Sequence, residues 1–504
     1  MGRNGALLGR RVRGYALGTS AIALGFVLGN PAAAQCAPDP TVANGTTNCT
    51  GTDNDGLTVA TDNTRVTVAA GAVVRPGNAD AAITVRAYGT PITVAGLIDG
   101  GAKAGVLVFA GEPRTTTCTD PYAGASVNYC IPGSIQTSYP SANASITVAE
   151  GGSVIGGNAI LLRRAASNTN GSISATVNNA GAITGTAGAA ILADTAGGFN
   201  ALSISNAATG KITGGIAGSV SYVTNEGRID GRTRAAIAST TGFNVTNSGT
   251  ILSSGAPATL SAAGYLSVTN AAGATIGGSA TAISTTGTLS LTNNGTINGS
   301  VVSTAAADGS FGPSSTIDTR GGTINGDLLL GAGNDTLRAR YDVATGRVSS
   351  VTGRIDGGGG INTLAIGMDA DTTLASAVLP TNFQLLGLDL SNNATVTIAR
   401  GFTTGSGIAL GGSGTVINQA SLVTRGPAVT SAFGTSGLGF TNQGTITATF
   451  DNAAGGTSQF AVKAPGRLTN DGTIIANGGP TGRPDHFSGC PVPATLLLTI
   501  ALRR

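Results

Sequence analysis

The feature that most restricts this chain is a phrase that it keeps rewriting. VTNEGRID begins at residue 223, VTNSGTIL at 245, LTNNGTIN at 291, FTNQGTIT at 440 and LTNDGTII at 468. With the asparagine as marker, the same pattern takes in Asn179, Asn206, Asn225, Asn247, Asn270 and Asn293, at gaps of 27, 19, 22, 23 and 23 residues. After a less regular middle it resumes at Asn418, Asn442 and Asn470, at gaps of 24 and 28. A period of a little over twenty residues points to stacked repeats rather than to the three or so globular domains that 504 residues would otherwise suggest.

Within each unit apolar and small polar residues alternate, as in Val245, Asn247, Gly249 and Ile251, which is the period of a strand and not of a helix. Asn-Gly and Gly-Gly pairs break the strands after a few residues. A second apolar patch follows each marker, for example GAAIL from 188, AAIAS from 235 and TAIST from 281. Each unit therefore holds two or three short strands. Hairpin sandwiches would need longer modules and larger core residues. This chain has no Trp, 80 Gly and only 10% charged residues, against about 25% in an average soluble domain. A parallel β-helix with one coil per repeat suits that composition: like side chains stack about 4.8 Å apart, and small residues fill a narrow interior. The expected fold is all-β, a right-handed parallel β-helix, the hand following the crossover rule. The recurring asparagines are then structural markers, their amides hydrogen-bonding from coil to coil at a turn.

Four parts are expected. Residues 1–34 read as a signal peptide, with Arg3, Arg10, Arg11 and Arg13 before an apolar run from Ala16 to Leu28 and a cut after Ala34. That run is too short for a membrane span, which needs about 20 residues. Residues 35–140 form an N-terminal β cap with a protruding loop, 141–480 the β-helix repeats, and 481–504 an aberrant, disordered tail. Without the leader, 23 basic side chains face 24 acids, so no field draws the chain to nucleic acid. Cys36 with Cys49, and Cys118 with Cys130, are disulfide candidates closing short loops in an oxidising compartment, metal ligation being the competing reading. Cys490 is left over in the tail.

The tandem TNxGTI units, the leader, and the stretch INGDLLLGAGNDTLRARYDVATGRVSSVTGRIDGGGGINTLAIG (324–367) resemble passenger domains of bacterial type V autotransporters. The resemblance implies a β-helical passenger carried through the outer membrane by a C-terminal β-barrel, then displayed or released at the cell surface. Members of that family are often adhesins, biofilm factors or proteases; the expected role here is adhesion or cell contact, with cell-surface or matrix ligands, glycans among them. No barrel-like segment of roughly 250 residues follows the repeats. The tail TGRPDHFSGCPVPATLLLTIALRR breaks the pattern, which suggests a truncated or frame-shifted product; a secreted β-helix with an irregular tail is the alternative.

A constellation for catalysis is missing from the sequence. The one histidine, His486, lies in the tail, and a serine nucleophile needs a base beside it. A polysaccharide-active β-helix would line a groove with acids and a basic residue. Asp230 with Arg232 and Arg234, or Asp335 with Arg338 and Arg340, are the candidates, and each reads better as a solvated face of a coil. GAGNDTL (331–337) places Gly333 and Asp335 as in a calcium β-roll, and GGGGINTL (357–364) repeats the form with Asn362 in place of the acid. A turn between coils explains both. The expectation is a non-enzymatic protein without cofactor or metal; a polysaccharide-active enzyme and a calcium-binding β-roll are the alternatives.

Overall fold

The computed structural model describes residues 35–117, 135–194, 200–304, 314–376, 379–402, 407–431, 438–450, 461–462, 466–478 and 495–498. Among them there is no helix. Nearly all strands pair in parallel with strands one repeat away, giving a β-solenoid of about 15 turns. The leader, Cys118, Cys130, His486 and Cys490 lie outside the described residues.

Each coil has three faces. In a central coil Leu266–Asn270 supplies the first face, and Thr275–Thr285 the second and third. That last strand runs without a break through a corner because Gly277 and Gly278 take φ of 156° and 99°. A Cβ at either would also strike the backbone of a neighbouring coil.

Alternation points every second side chain inward, and the registers place like over like. On the second face Ile183, Ile212, Ile229, Ile251, Ile276 and Ile297 form one fully buried column. Val223, Val245, Val268 and Leu291 do the same on the first. Burying each such side chain contributes roughly 1.5–3 kcal/mol. The main core is one continuous cluster from Cys36 to Ile446, with small satellite clusters around Leu107 and Leu161 on the third face and around Phe450 near the last coils.

Coil stacking is longer than the repeat phrase suggests. Within residues 35–140, which the sequence reads as a cap region, parallel pairing links Thr46–Cys49, Arg65–Val68 and Thr90–Val94 and carries on to Ala142–Val148. The antiparallel cap is only Cys36–Ala37, laid on Thr46–Cys49 and joined to it by the Cys36–Cys49 disulfide. A two-stranded arm, Arg114–Thr117 with Ile135–Ser138, leaves the third face and brackets 118–134. At the other end, Thr495–Leu498 pairs antiparallel with Thr473–Gly478 on the last coil.

Candidate functional site

The marker asparagines are structural at atomic detail. Asn179 donates through Nδ2 to Asn206 Oδ1 (2.7 Å), and the relay continues to Asn225 (2.7 Å), Asn247 (2.8 Å), Asn270 (2.9 Å) and Asn293 (2.9 Å). All six are buried at the corner between the first and second faces. The ladder has a direction, every amide donating toward the C-terminus. It starts at an unpartnered Asn179 Oδ1 and ends where Asn293 donates to Thr319 Oγ1. The coils before it carry Val68, Val94 and Val148 at the same position. An apolar column replaces the amide ladder there, and the phrase disappears.

A second ladder links Asn418, Asn442 and Asn470 (2.8 and 2.7 Å). It occupies a different corner. Leu385–Ile398 and Ile408–Asn418 run from the first face onto the second, so Asn418 ends a second-face strand. The repeat has slipped by one face relative to the solenoid.

The catalytic and calcium candidates are absorbed by coil geometry. Asp230 accepts from Arg228 Nη2 (2.7 Å) and the Arg232 amide (2.8 Å). Partial burial pushes its carboxyl up, but those donors outweigh it and hold the carboxyl below the usual range. Arg234 reaches instead to the Ala187 carbonyl at 2.9 Å. Asp335 is buried; Oδ1 accepts the Ser315 amide and Oδ2 has no partner. Burial pushes this carboxyl up to about 6, against the Ser315 hydrogen bonds that lower it. Its amide donates to Asn362 Oδ1 at 2.8 Å, so the two glycine-rich segments are one corner in successive coils. Arg340 bonds Gly322 O and Thr323, not Asp335. No group of three or more potential metal ligands exists among the described residues.

Two outer surfaces remain. On the third face a shallow groove of about 350 Å³ is lined by Asp80, Arg86, Lys103, Leu107, Phe109 and Leu161, among others, with the Arg86 guanidinium 4.7 Å above the Phe109 ring. It offers cations, apolar surface and a single carboxylate, which does not supply the pair of acids that glycosidic cleavage uses.

The first face differs. Its outward positions form two columns running up the rod. One reads Thr93, Thr147, Asn178, Ser205, Thr224, Thr246, Thr269 and Thr292. The other passes through Pro91, Ser145, Thr176, Ser203, Tyr222, Asn244, Ser267 and Ser290. Eight successive coils thus show no charge in either column; Arg65 precedes the stretch and Asp318 and Arg338 follow it. Among the described residues these hydroxyls and amides make no side-chain hydrogen bond within the chain. The spacing is about 4.8 Å along the axis and about 7 Å across a strand. The sequence showed the hydroxyl content of the repeats, but alignment into flat columns depends on register, which a loose period leaves undetermined. The chain matches no protein-family model and no curated protein in sequence comparison.

Proposed function

We propose that this chain is an exported, autotransporter-type passenger that acts without catalysis, as a rod making many shallow contacts in adhesion or cell-to-cell contact. The observation that carries the reading is the uncharged eight-coil array on the first face, whose hydrogen-bonding groups have no partner within the chain. Each contact is weak alone. Repetition on one rigid scaffold turns the second and later contacts into intramolecular events at high effective concentration. A coil that folds by adding rung to rung also suits a chain that must fold after crossing a membrane. The leader-like residues 1–34 support export, and the resemblance of the repeats supports delivery by an outer-membrane barrel.

Beads coated with residues 35–478 should adhere to bacterial or host cells, and Thr224→Lys, Thr246→Lys and Thr269→Lys together should abolish adhesion by charging the face. Unchanged adhesion in that variant, or none by the parent above albumin-coated beads, refutes the reading. N-terminal sequencing of secreted material tests export, with Gln35 as the expected first residue.

A further inference from the structure

Aromatic side chains are few in this chain, and their placement is uneven. Phe243, Phe402 and Phe440 are fully buried in the core. Four tyrosines are instead exposed: Tyr88, Tyr139, Tyr222 and Tyr265, at 59, 37, 60 and 50%. All four lie where the chain enters the first face. Tyr88 and Tyr139 precede Thr90–Val94 and Ala142–Val148, Tyr222 opens Tyr222–Asn225, and Tyr265 directly precedes Leu266–Asn270. Exposing a tyrosine ring forfeits burial that a core position would give it. Four on the entry edge of one face, beside the unpaired hydroxyl columns, need a reason.

Tyr265 is also held in place. A β-carbon on Gly242, in the preceding coil, would sit 2.0 Å from the Tyr265 ring, so the missing side chain there is what lets the ring lie against the backbone. One side of the ring is supported and the side chain is still half exposed. Tyr222 stands two coils earlier, in the column through Asn244 and Ser267. The two tyrosines are thus offset by about 10 Å along the axis and about 7 Å across it.

From these features we infer that the first face binds an extended, uncharged polysaccharide, a proposal that rests on the contact role proposed above and names its ligand class. Sugar rings present apolar C–H faces that stack on aromatic rings and an equatorial rim of hydroxyls that both donate and accept. Tyr222 and Tyr265 supply the stacking platforms. Thr224, Thr246 and Thr269 supply hydroxyls that likewise donate and accept. The lack of charge over eight coils selects against anionic polymers: no Arg or Lys is there to compensate them, and desolvating a carboxylate or sulfate without a partner is costly. A third-face site around Arg86 and Lys103 would have the opposite preference.

Affinity electrophoresis of the purified passenger through gels containing soluble β-glucan, α-mannan or galactan tests this, with polygalacturonate and dextran sulfate as charged controls. Retardation by at least one neutral polymer and by neither charged one is expected. Tyr222→Ala with Tyr265→Ala should weaken retardation roughly tenfold or more. Gly242→Ala, which leaves Tyr265 present but displaces its ring, should weaken it too, while circular dichroism stays unchanged in all variants. Absence of retardation by every neutral polymer overturns the proposal, as does full retention by the double tyrosine variant. If bead adhesion persists while no neutral polymer binds, only the ligand class fails and a protein partner takes its place; if adhesion fails as well, the contact reading falls with it.

Discussion

The direction of the asparagine ladder makes its rungs unequal. Asn247 donates to Asn270 Oδ1 at 2.9 Å and to the Gly249 and Thr275 carbonyls at 3.2 Å, and accepts from Asn225 at 2.8 Å. Asn247→Val removes all four, of which the two shorter amide–amide bonds carry most of the cost and the two 3.2 Å bonds to carbonyls little. Asn225 Nδ2 keeps the Gly227 and Thr250 carbonyls as acceptors, but Asn270 Oδ1 becomes a buried acceptor with no donor. Two net hydrogen bonds at about 1 kcal/mol each and one orphaned acceptor at about 1–3 kcal/mol, less the apolar gain of valine, leave a cost of about 2–4 kcal/mol. Asn179→Val is different. The Asn179 Oδ1 is already unpartnered, so the substitution moves the orphan one rung up, to Asn206, without adding to the number. The new valine also stacks on Val148. Its cost should stay near 0–1 kcal/mol. Because a solenoid opens coil by coil, the measurement is amide hydrogen exchange across the affected and neighbouring coils rather than one global melting curve. Equal costs for the two variants, or an Asn247→Val cost below about 0.5 kcal/mol, would refute the ladder as a directed chain of satisfied groups.

Three further outcomes follow from local geometry. Asp335 titrates near 6 when folded against 3.8 ordinarily, so the folded chain holds its proton over a window in which the unfolded chain has lost it. Stability should therefore fall by roughly 2 kcal/mol as pH rises from 4 to 6 and level off above about 7, and Asp335→Asn should flatten that slope in denaturation at pH 4, 5, 6 and 8. Replacing Cys36 and Cys49 together by Ser releases a 13-residue closure worth about 3 kcal/mol, and hydrogen exchange should rise in the coils from Thr46 to Val68 while those beyond Ala142 stay protected. Gly412 turns a corner at φ 80° with space for a β-carbon blocked by the Leu390 carbonyl, so Gly412→Ala should cost about 2 kcal/mol or more and loosen Ile408–Asn418. Gly401→Ala, with nothing within 4 Å, is the matched control and should be silent in the same exchange experiment.

The coil architecture was legible because it is written as a period: an inward isoleucine or valine and a corner asparagine recur at fixed offsets, and both belong to one rung. What escaped had no side-chain signature of its own. The early coils stack Val68, Val94 and Val148 where later ones stack asparagine, and a valine at a corner looks like a valine in any strand. The hydroxyl face could not be placed either, since whether Thr246 lies over Thr224 or beside it is a question of register, and a one-residue slip would send it inward.

The slipped repeat shows how far the two descriptions can separate. Asn293 and Asn418 are 125 residues apart, and that interval holds five coils and one additional face. The amide ladder needs only that like corners lie one above another within a run; nothing in it ties the first run to the second. In between, Thr319 closes the first ladder by accepting from Asn293, while Asp335 and Asn362, at the corner that leads into the first-face strands Thr336–Ala339 and Thr363–Met368, accept from the Ser315 and Asp335 backbone amides instead of pairing amide to amide. Local pairing of strand on strand carries the solenoid across this gap without any help from the ladder, as the unbroken registers from Leu337 to Leu364 to Leu386 show. Stacked strands therefore hold the rod together, and the asparagines fix which residue meets which in the two stretches where they occur. The longer of those stretches, Asn179 to Asn293, runs along the corner of the coils whose outer faces carry Thr224, Thr246, Thr269, Tyr222 and Tyr265, so the ladder fixes the register on which the alignment of these side chains depends.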